Sequence, residues 1–188
     1  KNKYFVEIND DWWFLKDGKN MLFSSEMSGY RQLYLYSLDG KNKLQLTKGN
    51  YEITEVNGVD ETHQLIYYTV AYPRPMDRNL FVTDFAGKKT WQLTQGQAWH
   101  RVELNDNFTQ FQDYVSDLNT PQSVSLNNIT ITKKKDVTAT LVRSLGDNSK
   151  LKAKLDEYAV GKAEFIRVPN SKGDTLNGWM LKPTDFDP

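Results

Sequence analysis

The sequence predicts an all-β fold: part of a β-propeller, about three four-stranded antiparallel blades, with a short helix and a C-terminal β-hairpin after them. Three observations predict it. A block of strand-like runs recurs at a fixed offset of 47 residues: Leu46-Thr47-Lys48-Gly49 returns as Leu93-Thr94-Gln95-Gly96, and Arg31-Gln32-Leu33-Tyr34-Leu35 as Arg78-Asn79-Leu80-Phe81-Val82. Gly40 returns as Gly87 at the same offset. Aromatic residues reach 13%, too many for a disordered chain. A sandwich also has short strands and frequent turns, but it has no reason to repeat four strands in register.

The first unit reads as strands at 12–14, 21–24, 33–36 and 44–46, with turns at Asp17-Gly18-Lys19 and Asp39-Gly40. Asp-Gly suits tight hairpins because glycine reaches positive φ without a Cβ clash. Leu33 and Leu35 share one face of their strand, Tyr34 and Tyr36 the other, so the strand is expected to be covered on both sides. In the second unit Tyr67-Tyr68-Thr69 matches Leu22-Phe23-Ser24 at an offset of 45, which implies a two-residue loop insertion around Pro73-Arg74-Pro75. The third unit is degenerate. Val102 to Leu104, Phe108 to Val115 and Ser123 to Leu126 read as strands, Asn127-Asn128 as a turn, and Ile129 to Thr132 as the last strand. Lys133-Lys134-Lys135 reads as an exposed turn. Beyond it, Leu151, Leu155 and Tyr158 at i, i+4 and i+7 predict a helix over 149–158, with Asp147, Asn148 and Ser149 as cap candidates and Gly161 as its end. Phe165 to Val168 and Leu176 to Leu181 flank a polar turn and predict a hairpin. The expected division is 1–146 for the blades and 147–188 for a linker helix and the first strands of a truncated unit.

Composition excludes several classes. The chain has 188 residues with 24 basic and 24 acidic side chains, so a net-charge footprint for nucleic acid is missing. Cysteine is absent, which excludes a disulfide scaffold, a thiolate metal site and a cysteine nucleophile. No run approaches the length of a membrane span. The chain starts at Lys1 and stops at Pro188 just after a strand-like run, so both ends read as cut.

Candidate chemistry is sparse. There is no G-x-S-x-G elbow, no G-x-G-x-x-G and no P-loop. His63 and His100 read as surface or packing histidines. Glu7, Asp10 and Asp11 could bind a cation or a peptide amine in principle, but without metal-loop spacing they read as solvated loop, as do Asp113 and Asp117. Trp91 holds the place of Leu44 one repeat earlier and is expected between blades. Trp12, Trp13 and Trp99 are assigned to the core with it. Asn107-Phe108-Thr109 and Asn128-Ile129-Thr130 fit a glycosylation pattern that is common by chance.

Taken in order, Gly29-Tyr30-Arg31, Leu46-Thr47-Lys48-Gly49, Tyr67-Tyr68-Thr69, Arg78-Asn79-Leu80-Phe81, Arg143 to Ser149, Phe165-Ile166 and Gly178-Trp179-Met180-Leu181-Lys182-Pro183 resemble the dipeptidyl peptidase IV family. The resemblance covers essentially the whole chain: later propeller blades and the crossing into the hydrolase domain. It implies a parent serine exopeptidase that removes N-terminal Xaa-Pro or Xaa-Ala dipeptides. In such a parent a serine attacks the carbonyl after the second residue, a histidine moves protons and an oxyanion hole holds the intermediate. The family's triad falls after Pro188 and its amine-binding glutamates in an earlier blade, so no catalytic residue is assigned here and the substrate-binding residues are unknown. The stretch matching the family's arginine-phenylalanine loop lies near Tyr4-Phe5-Val6-Glu7-Ile8 without a firm register. Animal members carry propeller disulfides, and the absence of cysteine fits a bacterial homologue instead.

The resemblance further implies no cofactor, no metal and no nucleic acid. The implied partners are peptides with N-terminal Xaa-Pro or Xaa-Ala and the chain's own hydrolase domain, with homodimerisation of the parent left open. The implied location is periplasmic or secreted. This chain would gate and shape the substrate cavity and be inactive alone. Two alternatives stay open: a non-enzymatic periplasmic propeller that binds a protein partner, and a carbohydrate-binding β domain that would expose Trp12, Trp13 and Trp99.

Overall fold

The computed structural model describes residues 12–186. The expectations for Glu7, Asp10, Asp11 and the stretch 4–8 lie outside the described residues. Three four-stranded antiparallel meanders follow one another in the chain. The first holds β1 (Trp12–Phe14), β2 (Asn20–Ser25), β3 (Gln32–Ser37) and β4 (Lys43–Gln45). The second holds β5 (Ile53–Asp60), β6 (Leu65–Val70), β7 (Asn79–Asp84) and β8 (Thr90–Gln92). The third holds β9 (Trp99–Leu104), β10 (Gln110–Ser116), β11 (Ser123–Ile131) and β12 (Val137–Gly146). Helix α1 (Ser149–Leu155) then leads to a separate two-stranded sheet, β13 (Ala163–Pro169) with β14 (Thr175–Leu181). These are three blades of a β-propeller, a short helix and a C-terminal hairpin.

The repeat has a physical basis in hydrogen bonds that recur at the same offset. Thr47 Oγ1 accepts from the Leu33 amide at 2.9 Å, and Thr94 Oγ1 from the Leu80 amide at 2.9 Å. The Gln45 and Gln92 side chains donate to the Thr47 and Thr94 carbonyls. The Arg31 carbonyl accepts from the Ile53 amide and the Arg78 carbonyl from the His100 amide, each at 3.1 Å, so the first strands of blades two and three each hang from the blade before. The loop between β2 and β3 covers 26–31 and that between β6 and β7 covers 71–78, two residues longer, as the change of offset requires.

Large side chains pack the seams between blades, as they do between facing sheets. Leu22, Leu33, Ile53, Ile66, Tyr68 and Val70 fill the seam between blades one and two. Leu65, Tyr67, Leu80, Val82, Val102, Phe111 and Ile129 fill the seam between two and three. Strand β6 is buried at every position because successive side chains point alternately into the two seams.

Four expectations for the third unit and the tail are corrected. Asn127-Asn128 is not a turn: β11 runs through it, with bulges at Val124/Ser125 and Leu126/Asn127. The two amide side chains are used inside the sheet, Asn127 donating to Ser125 Oγ and Asn128 Oδ1 accepting from Gln110. The last strand is therefore β12, beyond the lysines, and Lys133 to Lys135 form the exposed turn into it. Phe108 belongs to the β9–β10 turn at φ 53°, not to a strand. Its ring stacks on Tyr67 at 5.2 Å over Gly58, where any Cβ would meet it at 2.4 Å. Helix α1 stops at Leu155, three residues early, and its cap residue Asn148, at φ 51°, makes no side-chain capping bond; its amide donates to the Gln122 carbonyl. Leu151, Leu155 and Tyr158 are exposed.

The β7–β8 turn explains why Gly87 repeats Gly40. Its φ is 63°, and a Cβ there would lie 2.8 Å from Leu46 Cα and carbonyl oxygen. Gly87→Ala is expected to cost about 1–3 kcal/mol through positive φ and backbone overlap, read as a lower urea midpoint. The same change at Gly40, where a Cβ meets nothing within 4 Å, should cost less.

Candidate functional site at the blade ends

In a meander the second and fourth connections leave the blade at the end opposite the first and third. One end of this structure therefore gathers loops 71–78, 93–98 and 117–122, and the helix and hairpin dock there. Arg74 is the centre of that end. Its guanidinium donates from Nε at 2.9 Å and Nη2 at 2.7 Å to the two carboxylate oxygens of buried Asp77. These charge-assisted bonds raise the Arg74 pKa above its ordinary value. The flat face of the same guanidinium lies 5.0 Å from the centre of the Phe165 ring on β13. Arg78 donates to the Pro75 and Asp77 carbonyls and covers the Trp99 ring at 4.4 Å; burial lowers its pKa, against Asp77 and Glu52.

A second clamp lies beside the first. The Asn119 side chain donates to the Ala163 carbonyl at 2.9 Å and accepts from its amide at 2.8 Å, the pair of bonds a neighbouring strand would supply. Asp117 shapes that loop by accepting from the Asn119 amide and Thr120 Oγ1. Met76, Trp99, Leu118 and Phe165 wall a cavity of about 330 Å³ between the clamps. Its charged groups are already partnered, so the arrangement fastens two parts of the chain together. Asn119→Ala should remove both bonds to Ala163, and limited proteolysis is expected to cut faster within 147–162 with a thermal midpoint that barely moves.

The singled-out residues do not converge. His63 sits in the β5–β6 turn with Nδ1 2.6 Å from Asp60. His100 is a buried packing residue, and Asp113 is not solvated loop but its partner: Nδ1 lies 2.9 Å from both Asp113 oxygens, and Nε2 3.2 Å from the Gln95 carbonyl. Trp13 and Trp91 pack against the seams. Trp12 and Trp99 do not: they are 48% and 49% exposed, on different blades, against Phe14 and Arg78. Among the described residues no cluster of three His, Asp or Glu side chains could hold a metal ion, and no helix is long and apolar enough to cross a membrane. The Arg74–Asp77 pair and Asn119 carry no sequence motif; the only signal was the insertion at Pro73-Arg74-Pro75.

Repeating four-stranded units and shared seams define a propeller fragment, with a two-stranded hairpin docked at one end. The family described as Dipeptidyl peptidase IV (DPP IV) N-terminal region matches residues 1–122, and the chain belongs to it. It is 25% identical over 192 residues to a probable dipeptidyl peptidase 4 of Aspergillus flavus, covering 100% of this chain and 22% of that protein. It is 26% identical over 166 residues to dipeptidyl peptidase 4 of Trichophyton rubrum, covering 87% and 20%. The crystal structure of Porphyromonas gingivalis dipeptidyl peptidase 4 superposes with a TM-score of 0.79 at 27% identity, over 94% of this chain and 24% of that one. The chain thus spans between a fifth and a quarter of the length of these relatives.

Proposed function

We propose that this chain is the later part of the propeller of a serine exopeptidase that removes Xaa-Pro and Xaa-Ala dipeptides from peptide N-termini. In this reading residues 1–146 wall and gate the substrate cavity, 147–188 are the strut into the hydrolase domain, and the parent is periplasmic or secreted. The observation that carries the reading is the double clamp of Arg74 on Phe165 and Asn119 on Ala163, because it fixes the end of the blades to the segment that follows them in relatives named dipeptidyl peptidase 4. The serine, aspartate and histidine of the reaction belong to the rest of the parent, so the isolated 188 residues are expected to be inactive.

The test uses the full-length parent and a Gly-Pro chromophore conjugate, with and without a blocked N-terminus. Turnover of the free-amine substrate alone is expected. No turnover of either by folded protein would overturn the reading in favour of a propeller that binds a protein partner.

A further inference from the structure

The two seams close differently at the end remote from the hairpin. Between blades one and two the β7–β8 turn presses on its neighbour, with Gly87 against the Leu46 backbone. The corresponding turn of blade three, between β11 and β12, carries Lys133, Lys134 and Lys135 instead and leaves a cleft of about 390 Å³. Leu65, Trp91 and Ile131 give it apolar walls, and Lys89, Lys134 and Lys135 line it with charge. That volume suits a small organic ligand.

The anions nearby are already committed. Asp84 accepts from the Lys88 and Lys89 amides, Asp60 holds His63, and Asp136 pairs with Lys89 at 3.2 Å. Lys89 also donates to the Lys134 carbonyl, tying the two turns together, and its ammonium lies 5.7 Å from the centre of the Trp91 ring. Among the described residues the Lys134 and Lys135 ammonium groups have no ion-pair partner, so two of the cleft's lining cations stand unmatched. The repeat supplies the contrast: Leu44 holds the place of Trp91 in blade one. The aromatic wall, the lysines and the gap occur together only at the second seam described.

We propose that this cleft binds an aryl carboxylate, its ring against Trp91 and Ile131 and its carboxylate between Lys134 and Lys135. The site is separate from the propeller end that meets the hairpin, and the proposal does not depend on the peptidase reading.

The test is isothermal titration of the full-length protein with indole-3-acetate, and with indole-3-acetamide as its neutral counterpart. Saturable one-site binding of the acid is expected, with the amide about tenfold weaker or more, the scale of one lost charge contact. The double variant K134E/K135E should abolish the preference for the acid. Trp91→Leu, a residue the repeat already accommodates, should weaken both ligands. Both variants lie at or beside exposed turns, and matched circular dichroism melts establish that each is folded. No saturable binding to the folded wild type, equal affinity for acid and amide, or unchanged binding in both variants would each overturn the proposal.

Discussion

Asp113→Ala is expected to destabilise the chain by about 1.5–3 kcal/mol, the scale of losing a buried hydrogen bond to a charged group. His100 and Asp113 lie in the seam between blades two and three, with side chains 5% and 11% exposed. Both His100 ring nitrogens lie within hydrogen-bond distance of a partner, Nδ1 of the Asp113 carboxylate and Nε2 of the Gln95 carbonyl. The repeat provides the matched control. His100 pairs with Val115 as Ile53 pairs with Val70, so Asp113 takes the place of Tyr68, and blade two fills the same positions with Ile53 and Tyr68. His100→Ile with Asp113→Leu should therefore recover most of the loss, since apolar replacement of a buried pair is often neutral or better. Urea unfolding of the three proteins decides the matter. A single variant within about 1 kcal/mol of wild type, as for exposed pairs, would show that the pair carries no such weight.

Alkali should unfold the chain through Tyr67 and Tyr68. Both side chains are fully buried, and burial pushes both phenols above their ordinary value of 10.0, with Asp60 adding to Tyr67 and Tyr51 to Tyr68. The folded state resists their ionisation and the unfolded state does not. Their contribution to stability is whole below pH 10 and is lost as pH rises past it towards the folded values. Phenolate absorbance at 295 nm is expected to show the exposed tyrosines ionising first and these two only with the loss of circular dichroism. Complete ionisation of all ten tyrosines before any spectral change would refute the expectation.

The blades were legible because their repeat is enforced by local chemistry. Thr47 and Thr94 each accept from an amide across their sheet, Gly40 and Gly87 each turn at positive φ, and those residues cannot drift freely. The third blade lost the signal where side chains substituted for one another. Asn127 and Asn128 resemble a turn, yet they bond within the sheet at bulges that absorb the extra residue. Phe108 resembles a strand residue, yet it leaves the sheet to stack on Tyr67, and the readable trace was Gly58 inside a strand. Trp12 and Trp99 resemble core, but hydrophobicity alone does not fix burial, and Arg78 covers only one face of Trp99. The clamps could not be read at all, because Arg74, Asp77 and Asn119 are common loop residues that become informative only once their partners are in place.

Strand β6 commits its side chains to two neighbours at once, and that imposes an order on synthesis. As the chain emerges, blade two meets blade one and buries Ile66, Tyr68 and Val70, while Leu65, Tyr67, Leu80 and Val82 wait for blade three. For the time a ribosome takes to add the residues from β9 to β12, a wide apolar face stands uncovered. The nascent protein is most vulnerable to misassociation in that interval, and substitutions that slow the third blade should harm yield far more than they harm the finished molecule.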